Sequence, residues 1–380
     1  MVTDRRSFLM SSAAAGALVA AGGTLFARDG ARVQMAARPA PEKKLHVLVM
    51  GGTAFLGPHC VEQLLARGHK VTLFNRGKTN PGLFPDLEKL VGDRRNDVKA
   101  LEGLTFDAVL DTNGYFPRFV KTPLEVLKAN IGHYVFVSTV SVYARMGEID
   151  LDESSEVLEI SAEDAEKAAD SGRIGADYGP LKVACERAAE ELMPGKVTVV
   201  RPGLIVGPDD PTDRFTYWPA RVAEGGEVLA PGKPEWEIQI VDVRDVAGFC
   251  VLALEKRLAG TFNVDGLDAP VPMGTVLDAC VEVSKSDAKL TWVDHAFLAE
   301  RDVHAWRDLP AWFPPAEGKD RVASVSCKKA IDAGLTFLPI QETVRGALEF
   351  HRKRPEGAKP RWTLTREREA EVLKEWKEKA

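Results

Sequence analysis

The chain is poor in cysteine and has no excess of positive charge, and each shortage excludes a class of protein. Among 380 residues, 50 Lys and Arg stand against 56 Asp and Glu, which gives a net charge of −6 and an isoelectric point near 5.8. Proteins that bind nucleic acid usually carry a basic face, so no nucleic acid partner is expected. The cysteines are too widely spaced for a disulfide framework or a metal site and are predicted to be small buried side chains: Cys60, Cys185, Cys250, Cys280 and Cys327.

The sequence also lacks a hydrophobic run long enough to span a membrane. Residues 11–27 are apolar, but they are few and rich in Ala and Gly, so no stable membrane anchor is expected. Before them stand Arg5 and Arg6, followed by Phe8 and Leu9. This arrangement resembles a twin-arginine export signal, and a disordered alanine-rich leader is the alternative. The resemblance implies that the twin-arginine translocase exports the folded protein, which would then be periplasmic or extracellular.

Beyond the N-terminal segment, apolar runs alternate with helical patterns. Residues 45–50 form a continuous apolar run, and Gly51, Gly52 and Gly57 follow in a tight turn that opens a helix. Strands are also predicted at 71–74, 87–91, 107–111, 133–138 and 196–201, and helices at 121–130 and 178–192. This alternation predicts an α/β fold of the Rossmann type, with a doubly wound parallel sheet.

Composition divides the chain into parts with different predicted roles. An insertion carries ten Asp or Glu residues between 148 and 170 against one lysine, which predicts a solvated helix or a flap. Proline and tryptophan accumulate after residue 202, which indicates a smaller region that binds substrate. The predicted parts are a signal and linker (1–42), a Rossmann domain (43–202) with the acidic insertion (148–177), a substrate-binding region interleaved with the Rossmann core (203–362), and a C-terminal helix (363–380).

A tyrosine and a lysine four residues apart carry the clearest chemical signal. Tyr178 and Lys182 share one face of a predicted helix, where the ammonium can lower the pKa of the phenol and make it a usable proton acceptor. The hydroxyls of Ser138 and Thr139 precede them at the end of a predicted strand. In combination with the glycine turn, this order predicts an enzyme that moves a hydride between a carbohydrate-like alcohol and a nicotinamide.

These motifs together resemble the extended short-chain dehydrogenase/reductase superfamily, also called the NAD-dependent epimerase/dehydratase family, over residues 45–352. The glycine pattern of the family falls on Gly51, Ala54 and Gly57, with Ala54 in place of the middle glycine. Thr139 matches the catalytic Ser or Thr, and Ser138 matches the hydroxyl before it. The Asp-Glu pair of the 4,6-dehydratases is replaced by valine and serine here, so the resemblance does not imply a dehydratase.

The resemblance implies a tightly bound nicotinamide cofactor. An acidic residue at the end of the second strand would bind the ribose diol of NAD, but the sequence has Arg76 and Lys78 there. These cations favour the 2′-phosphate of NADP, and NAD is the alternative. The predicted cofactor-binding residues are Gly51, Thr53, Ala54, Phe55, Leu56, Gly57, Asn75, Arg76, Lys78, Asp93, Thr112, Asn113, Tyr178, Lys182 and Arg201.

A polar and aromatic segment after residue 201 supplies candidates for substrate binding. It begins like the Arg-Pro-x-x-x-x-Gly-Pro segment of the family and continues with hydrogen-bonding groups and flat rings, which suit a sugar. A packed loop is the alternative interpretation. The predicted substrate residues are Asn113, Ser141, Asp213, Arg214, Tyr217, Trp218 and Gln239.

Three functions remain open at this point. The leading one is a sugar epimerase or isomerase that oxidises its substrate transiently and retains its cofactor, because no soluble nicotinamide pool exists outside the cytoplasm. The second is an NADPH-dependent carbonyl or sugar oxidoreductase. The third is RNA binding, since some plastid members of the superfamily with a similar glycine turn bind or cleave RNA. Tyr178, Lys182 and the acidic charge favour an enzyme. The resemblance also implies a possible homodimer through the helices at 121–130 and 178–192.

Overall fold

The computed structural model describes residues 39–266, 270–316, 322–355, 361 and 364–379. The predicted twin-arginine signal lies outside these residues, as does most of the predicted linker, so both remain predictions. The strands are β1 (His46–Met50), β2 (Lys70–Asn75), β3 (Glu88–Val91), β4 (Ala108–Asp111), β5 (Tyr134–Val137), β6 (Val197–Pro202), β7 (Ile205–Val206), β8 (Glu227–Pro231), β9 (Glu237–Ile238), β10 (Val241–Asp242), β11 (Gly260–Val264), β12 (Val271–Pro272) and β13 (Lys289–Val293).

The α-helices are α1 (Leu56–Ala66), α2 (Pro117–Leu127), α3 (Ala162–Ser171), α4 (Tyr178–Leu192), α5 (Tyr217–Ala223), α6 (Val243–Lys256), α7 (Met273–Ser284), α8 (His295–Glu300), α9 (Lys328–Ala333), α10 (Ile340–Arg352) and α11 (Arg366–Lys379). The helix predicted at 121–130 begins earlier, at Pro117, because a proline fits the first turn of a helix, where its missing N–H is not needed. In the described part of the chain, no helix combines the length and apolar character needed to cross a membrane.

Seven parallel strands form the central sheet, in the order β11-β6-β5-β4-β1-β2-β3. Val47 in β1 pairs with Val71 of β2 on one side and with Ala108 of β4 on the other. From β1 the chain builds the sheet outward through β2 to β3, and from β4 it builds outward in the opposite direction through β5 to β6. The gap between β1 and β4 is therefore the switch point of the sheet. In such sheets, ligands bind at the carboxyl ends of the strands beside the switch point. The predicted doubly wound α/β fold is confirmed.

Alternate residues of β1 supply the hydrophobic cores on the two faces of the sheet. Val47 and Val49 pack with α1 and α6, whereas Leu48 and Met50 pack with α2 and α4. This division follows from the two-residue period of a strand. Because both faces are covered by helices, the strand ends are the part of the sheet that remains open to a ligand.

The later part of the chain contributes both to this sheet and to a second core. β11 is the outer strand beside β6, and α6 packs on the sheet, so the two predicted regions are interleaved. The second core collects residues of β8, β13, α5, α7, α10 and α11, and it includes the fully buried Trp218 and Trp312. In α11, Leu373 is buried, and Trp376 contacts the ring of Phe297 at 4.8 Å between centroids.

The acidic insertion forms α3, which is solvated on one face only. Ala165 and Ala169 are buried against α2, and Arg118 of α2 forms ion pairs with Glu166 at 3.0 Å and Asp170 at 2.7 Å. The insertion therefore covers part of the surface on which the predicted homodimer would form. The described cysteines are free and buried, as predicted.

Candidate active site

The turn between β1 and α1 forms a cradle that only glycine fits. A Cβ atom on Gly51 would lie 2.5 Å from Thr112 Oγ1, and one on Gly57 would lie 2.3 Å from the carbonyl oxygen of Gly51. Gly51 also has a φ of 93°, which disfavours any other residue. No described side chain caps the start of α1, so its first N–H groups are open to an anion. The cradle therefore fits the pyrophosphate of a dinucleotide.

The other predicted residues of this turn divide into exposed and buried groups. Ala54 is exposed, and its carbonyl accepts a hydrogen bond from Gly57 N at 2.9 Å, so the turn closes without the middle glycine. Thr53 and Leu56 are buried, and Phe55 precedes α1 with a φ of 30°. Thr53 and Leu56 thus shape the turn by packing, while backbone groups line the cradle.

The end of β2 carries two exposed cations. Arg76 and Lys78 are exposed, and neither forms an ion pair with a described residue. Asn75 Oδ1 accepts a hydrogen bond from Gly77 N at 2.8 Å, which fixes the turn that carries both cations. Asp93 accepts one from Arg95 N at 3.1 Å and remains partly exposed. These groups surround the position expected for the adenosine ribose.

Thr112 and Asn113 follow β4 at the switch point of the sheet. Thr112 Oγ1 donates to the carbonyl of Met50 at 3.0 Å, and Asn113 is exposed beside Gly51. Below them lies a buried pair that the sequence interpretation missed, with Arg94 2.8 Å from Asp111. The sequence feature that could have indicated this pair is an aspartate, Asp111, as the last residue of an apolar strand. The pair of Arg94 and Asp111 supports the loop that carries Thr112 and Asn113.

Tyr178, at the start of α4, lies close to Thr139 at the end of β5, because a Cβ on the next residue, Gly179, would lie 2.2 Å from the carbonyl oxygen of Ser141. The tyrosine ring is partly exposed, and the ring of Tyr115 lies 6.4 Å away. Burial and Tyr115 raise the pKa of the Tyr178 phenol, whereas Thr139 and the Arg214 guanidinium lower it. The structure therefore brings the two predicted catalytic hydroxyls together.

Lys182 is oriented differently from the sequence prediction. Its ammonium donates to the carbonyls of Gly114 at 2.6 Å and Val137 at 2.8 Å and lies 4.1 Å from the centre of the Phe136 ring. The side chain is buried, which lowers its pKa to about 8. The predicted lowering of the Tyr178 pKa by Lys182 is not seen, because the ammonium is bound to these two carbonyls and burial raises the pKa of the phenol overall.

Ser138 and Arg201 do not face the site as predicted. Arg201 pairs with Glu186 at 2.6 Å, and the Ser138 hydroxyl donates to the same carboxylate. All three side chains are buried, and they tie α4 to the ends of β5 and β6. Ser141, predicted to contact substrate, is also buried, and its hydroxyl accepts from Thr139 at 3.1 Å. These residues position the helix of Tyr178.

Tyr217 and Trp218 do not form the predicted platform for a sugar. Both are buried in the second core, because α5 packs its aromatic side chains against α7. Trp218 Nε1 donates to the carbonyl of Pro310 at 2.6 Å, so its polar atom is satisfied internally. The alternative interpretation, a packed segment, is the correct one for these two residues.

Asp213 and Gln239 are likewise occupied by structural partners. Asp213 is buried and forms an ion pair with Arg354. The Gln239 amide donates to Val325 O at 2.8 Å and accepts from Val325 N at 3.0 Å. Of the predicted substrate residues, Asn113 and Arg214 are the two that the structure leaves at least partly exposed.

A glycine cradle at the switch point of a parallel sheet, with a tyrosine at the neighbouring strand end, defines a Rossmann-type nucleotide-binding protein. The model of the NAD-dependent epimerase/dehydratase family matches residues 47–265, which is more than half of the chain. The chain therefore belongs to this family, and the resemblance given by the sequence motifs is confirmed.

A curated relative and two solved structures illustrate what the chain is similar to. The chloroplast stem-loop binding protein of 41 kDa b from Arabidopsis thaliana is 30% identical over 248 residues, which are 59% of each chain. The chain thus spans about three fifths of the length of this relative. UDP-glucose 4-epimerase from Thermotoga maritima matches with a TM-score of 0.56 and 19% identity, over 81% of this chain and 99% of that one. An enzyme of Bordetella bronchiseptica in complex with NAD+ matches with a TM-score of 0.58 and 18% identity, over 81% of this chain and 99% of that one. At these identities the solved structures show a common fold.

Proposed function

We propose that the protein is an NAD(P)-dependent sugar epimerase or isomerase that oxidises a substrate hydroxyl transiently to a ketone and retains its cofactor. The observation that carries this proposal is the closeness of Tyr178 to Thr139, because α4 begins against the segment that follows β5, where a Cβ on Gly179 would lie 2.2 Å from the carbonyl oxygen of Ser141. Two hydroxyls at one point can bind one substrate oxygen through both stages of an alcohol–ketone conversion. Membership of the epimerase/dehydratase family supports the same reaction class.

Each residue of the site has its own role in the proposed reaction. Tyr178 takes the proton of the substrate hydroxyl during oxidation and returns it during reduction. Thr139 hydrogen-bonds the same oxygen as it becomes a carbonyl, and one well-aimed donor of this kind is worth about 3 kcal/mol. Lys182 holds the loops after β4 and β5 together through the carbonyls of Gly114 and Val137. The bound nicotinamide supplies the hydride acceptor and, when oxidised, a positive charge that favours the phenolate of Tyr178.

NADP is the proposed cofactor, and NAD is the alternative. The exposed Arg76 and Lys78, with no ion pair to a described residue, support this choice, because a 2′-phosphate would give both cations a partner. Retention of the cofactor follows from the proposed location. Arg5 and Arg6 support export by the twin-arginine route to the periplasm or the cell exterior, where a spent cofactor could not be exchanged.

Two other functions make different predictions. An NADPH-dependent carbonyl or sugar oxidoreductase would use the same Tyr178 and Thr139, but it would consume the cofactor stoichiometrically. RNA binding is favoured by the similarity to the chloroplast stem-loop binding protein and opposed by the net charge of −6. A gel shift with a stem-loop RNA at low and high salt tests this second candidate, and no shift at low salt would remove it.

Identification of the nucleotide released on denaturation tests the proposed function directly. Purified protein should release about one NADP or NAD per chain, measured by mass, and should convert its sugar without added nicotinamide. Substrate deuterated at the reacting carbon should give product that keeps the label, because the same hydride returns. Loss of the label to solvent would indicate enolisation, and a stoichiometric requirement for NADPH would indicate a reductase.

A further inference from the structure

A second tyrosine, Tyr115, lies next to the proposed proton acceptor. It follows β4 on the same loop as Asn113, and the centres of the Tyr115 and Tyr178 rings are 6.4 Å apart. Both tyrosines are partly exposed, and both pack against one hydrophobic cluster that includes Leu181 of α4. Tyr115 and Tyr178 are therefore neighbours at the carboxyl ends of the strands.

The ammonium of Lys182 fixes the loop that carries Tyr115. It donates to the carbonyl of Gly114, the residue before the tyrosine, at 2.6 Å, and it lies 5.4 Å from the centre of the Tyr115 ring. A cation at this distance is attracted to the face of an aromatic ring. Phe116, the next residue, is buried in the hydrophobic cluster, so the chain is anchored on both sides of Tyr115. The ring is thus held in place without any contribution from its hydroxyl.

The Tyr115 hydroxyl forms no hydrogen bond with any residue that the structure describes. Two buried tyrosines near the same strand ends differ in this respect. Tyr134 donates to Asp111 at 2.6 Å. Tyr143 donates to Asn263 at 2.7 Å. Burial of the Tyr115 ring raises the pKa of its phenol, so the hydroxyl keeps its proton at neutral pH and is available as a donor. A phenylalanine would make the same ring contacts, so the fold does not need this hydroxyl.

We propose that the Tyr115 hydroxyl donates a hydrogen bond to a second hydroxyl of the sugar, on a carbon next to the one that is oxidised. The inference rests on the proposed function and narrows its substrate to sugars with a free hydroxyl beside the reacting carbon. The reacting oxygen already has Tyr178 and Thr139 as partners, so a third donor is available to another oxygen. Oxygens on adjacent carbons suit two neighbouring phenols, and a few such polar groups orient a ligand in a mainly apolar pocket.

Deletion of single hydroxyls from the sugar tests the proposal by binding affinity. The probes are glucose and galactose together with their monodeoxy forms, titrated by calorimetry into the enzyme that carries its own cofactor. Tyr115→Phe removes the hydroxyl and keeps the ring. It should weaken binding of the preferred parent sugar by about threefold to tenfold, the usual effect of a lost hydrogen bond between uncharged groups. The monodeoxy sugar that lacks the partner hydroxyl should bind equally to wild type and variant.

Two further variants separate the hydroxyl from the ring. Tyr115→Leu removes the ring as well, so it should also lower the midpoint of thermal unfolding, which Tyr115→Phe should leave unchanged. Tyr217→Phe removes a phenol hydroxyl from the second core and serves as the matched control, with no change in sugar affinity expected. Tyr115→Phe should release the same amount of nicotinamide on denaturation as the wild type, because its hydroxyl is assigned to the sugar.

The outcomes separate this inference from the proposed function. If Tyr115→Phe binds every sugar as the wild type does, the role of Tyr115 is overturned, while return of the deuterium label would keep the proposed function. Equal weakening of the parent sugar and of every monodeoxy form also overturns that role, because the hydroxyl then has no particular partner on the sugar. A wild type that binds none of the sugars overturns both the inference and the sugar substrate of the proposed function.

Discussion

Two regions of the molecule meet at the site, and their polar side chains behave differently. At the strand ends of the central sheet, Asn113 and Tyr178 remain at least partly exposed, and Asn113 lies beside Gly51 of the glycine cradle. In the region after β7, Asp213 and Trp218 are buried and bound to other parts of the chain. Arg214 is the exception in that second region, since it is partly exposed.

The difference follows from how each region obtains its core. Helices cover both faces of a parallel sheet, so the carboxyl ends of its strands are left free to carry polar groups for a ligand. The later region has short strands and irregular segments, which must bury their own aromatic rings and satisfy their own polar groups. Substitutions at the strand ends should therefore alter turnover, and those in the later region should alter stability.

The largest expected effect is on stability, in the later region. Trp218→Ala removes a fully buried ring and should lower the free energy of unfolding by about 3–5 kcal/mol, because it leaves a cavity and an unpaired carbonyl on Pro310. Urea denaturation followed by circular dichroism measures this loss. Trp218→Phe, which keeps most of the ring volume, should cost less. Wild-type stability in Trp218→Ala would mean that the ring is not part of a packed core.

The next effect is on turnover, at the strand ends. Tyr178→Phe should lower kcat by at least about a hundredfold, the usual contribution of a general acid–base residue, and should leave the midpoint of thermal unfolding unchanged. The control is Tyr217→Phe, since Tyr217 is buried in the second core and should not affect kcat. Near wild-type turnover in Tyr178→Phe would contradict the proposed mechanism and would remove the contrast between the two regions.

The contrast also explains which features could be predicted from the sequence. The glycine turn, Tyr178 and Thr139 were predictable because a strand, a tight turn and a helix fix the geometry of nearby residues within a short stretch of chain. Ser138 and Arg201 lie equally close to the motifs, but both bind Glu186 and therefore point away from the site. Glu186 is 48 positions from Ser138 and 15 positions from Arg201.

The later region could not be predicted from composition, for a related reason. A hydrogen-bonding residue next to an aromatic ring suits a sugar and suits a packed segment equally well. Asp213 is 141 positions from Arg354, and Gln239 is 86 positions from Val325, so no local pattern indicates these partners. Arg94 and Asp111 form a third long-range pair of this kind, under the cofactor loop.

A smaller effect concerns cofactor choice at the end of β2. Arg76→Ala should weaken NADP by about 1.5–3 kcal/mol and should leave NAD nearly unchanged, because only NADP has the 2′-phosphate that the guanidinium would contact. Protein refolded without nucleotide and titrated with each cofactor gives the two dissociation constants. Equal weakening of NADP binding and NAD binding would show that Arg76 does not contact the 2′-phosphate.

The smallest expected effect is a pH dependence of stability inside the sheet region. His133, which precedes β5, is buried and hydrogen-bonded to Thr198 at 2.7 Å, and burial together with Arg257 lowers its pKa to about 4. The unfolded chain binds this proton near pH 6.5, so the folded state loses stability as the pH falls below that value. Between pH 7 and 5.5 the loss should be about 1 kcal/mol, with the remainder following as the pH approaches 4. The control is His133→Gln, which keeps a hydrogen-bonding side chain but has no titrating group. Carboxylates titrate equally in both proteins, so the difference in unfolding free energy between wild type and variant reports His133 alone. A difference that does not change with pH would mean that His133 can be protonated in the folded protein, and hence that the amino end of β5 is open to water.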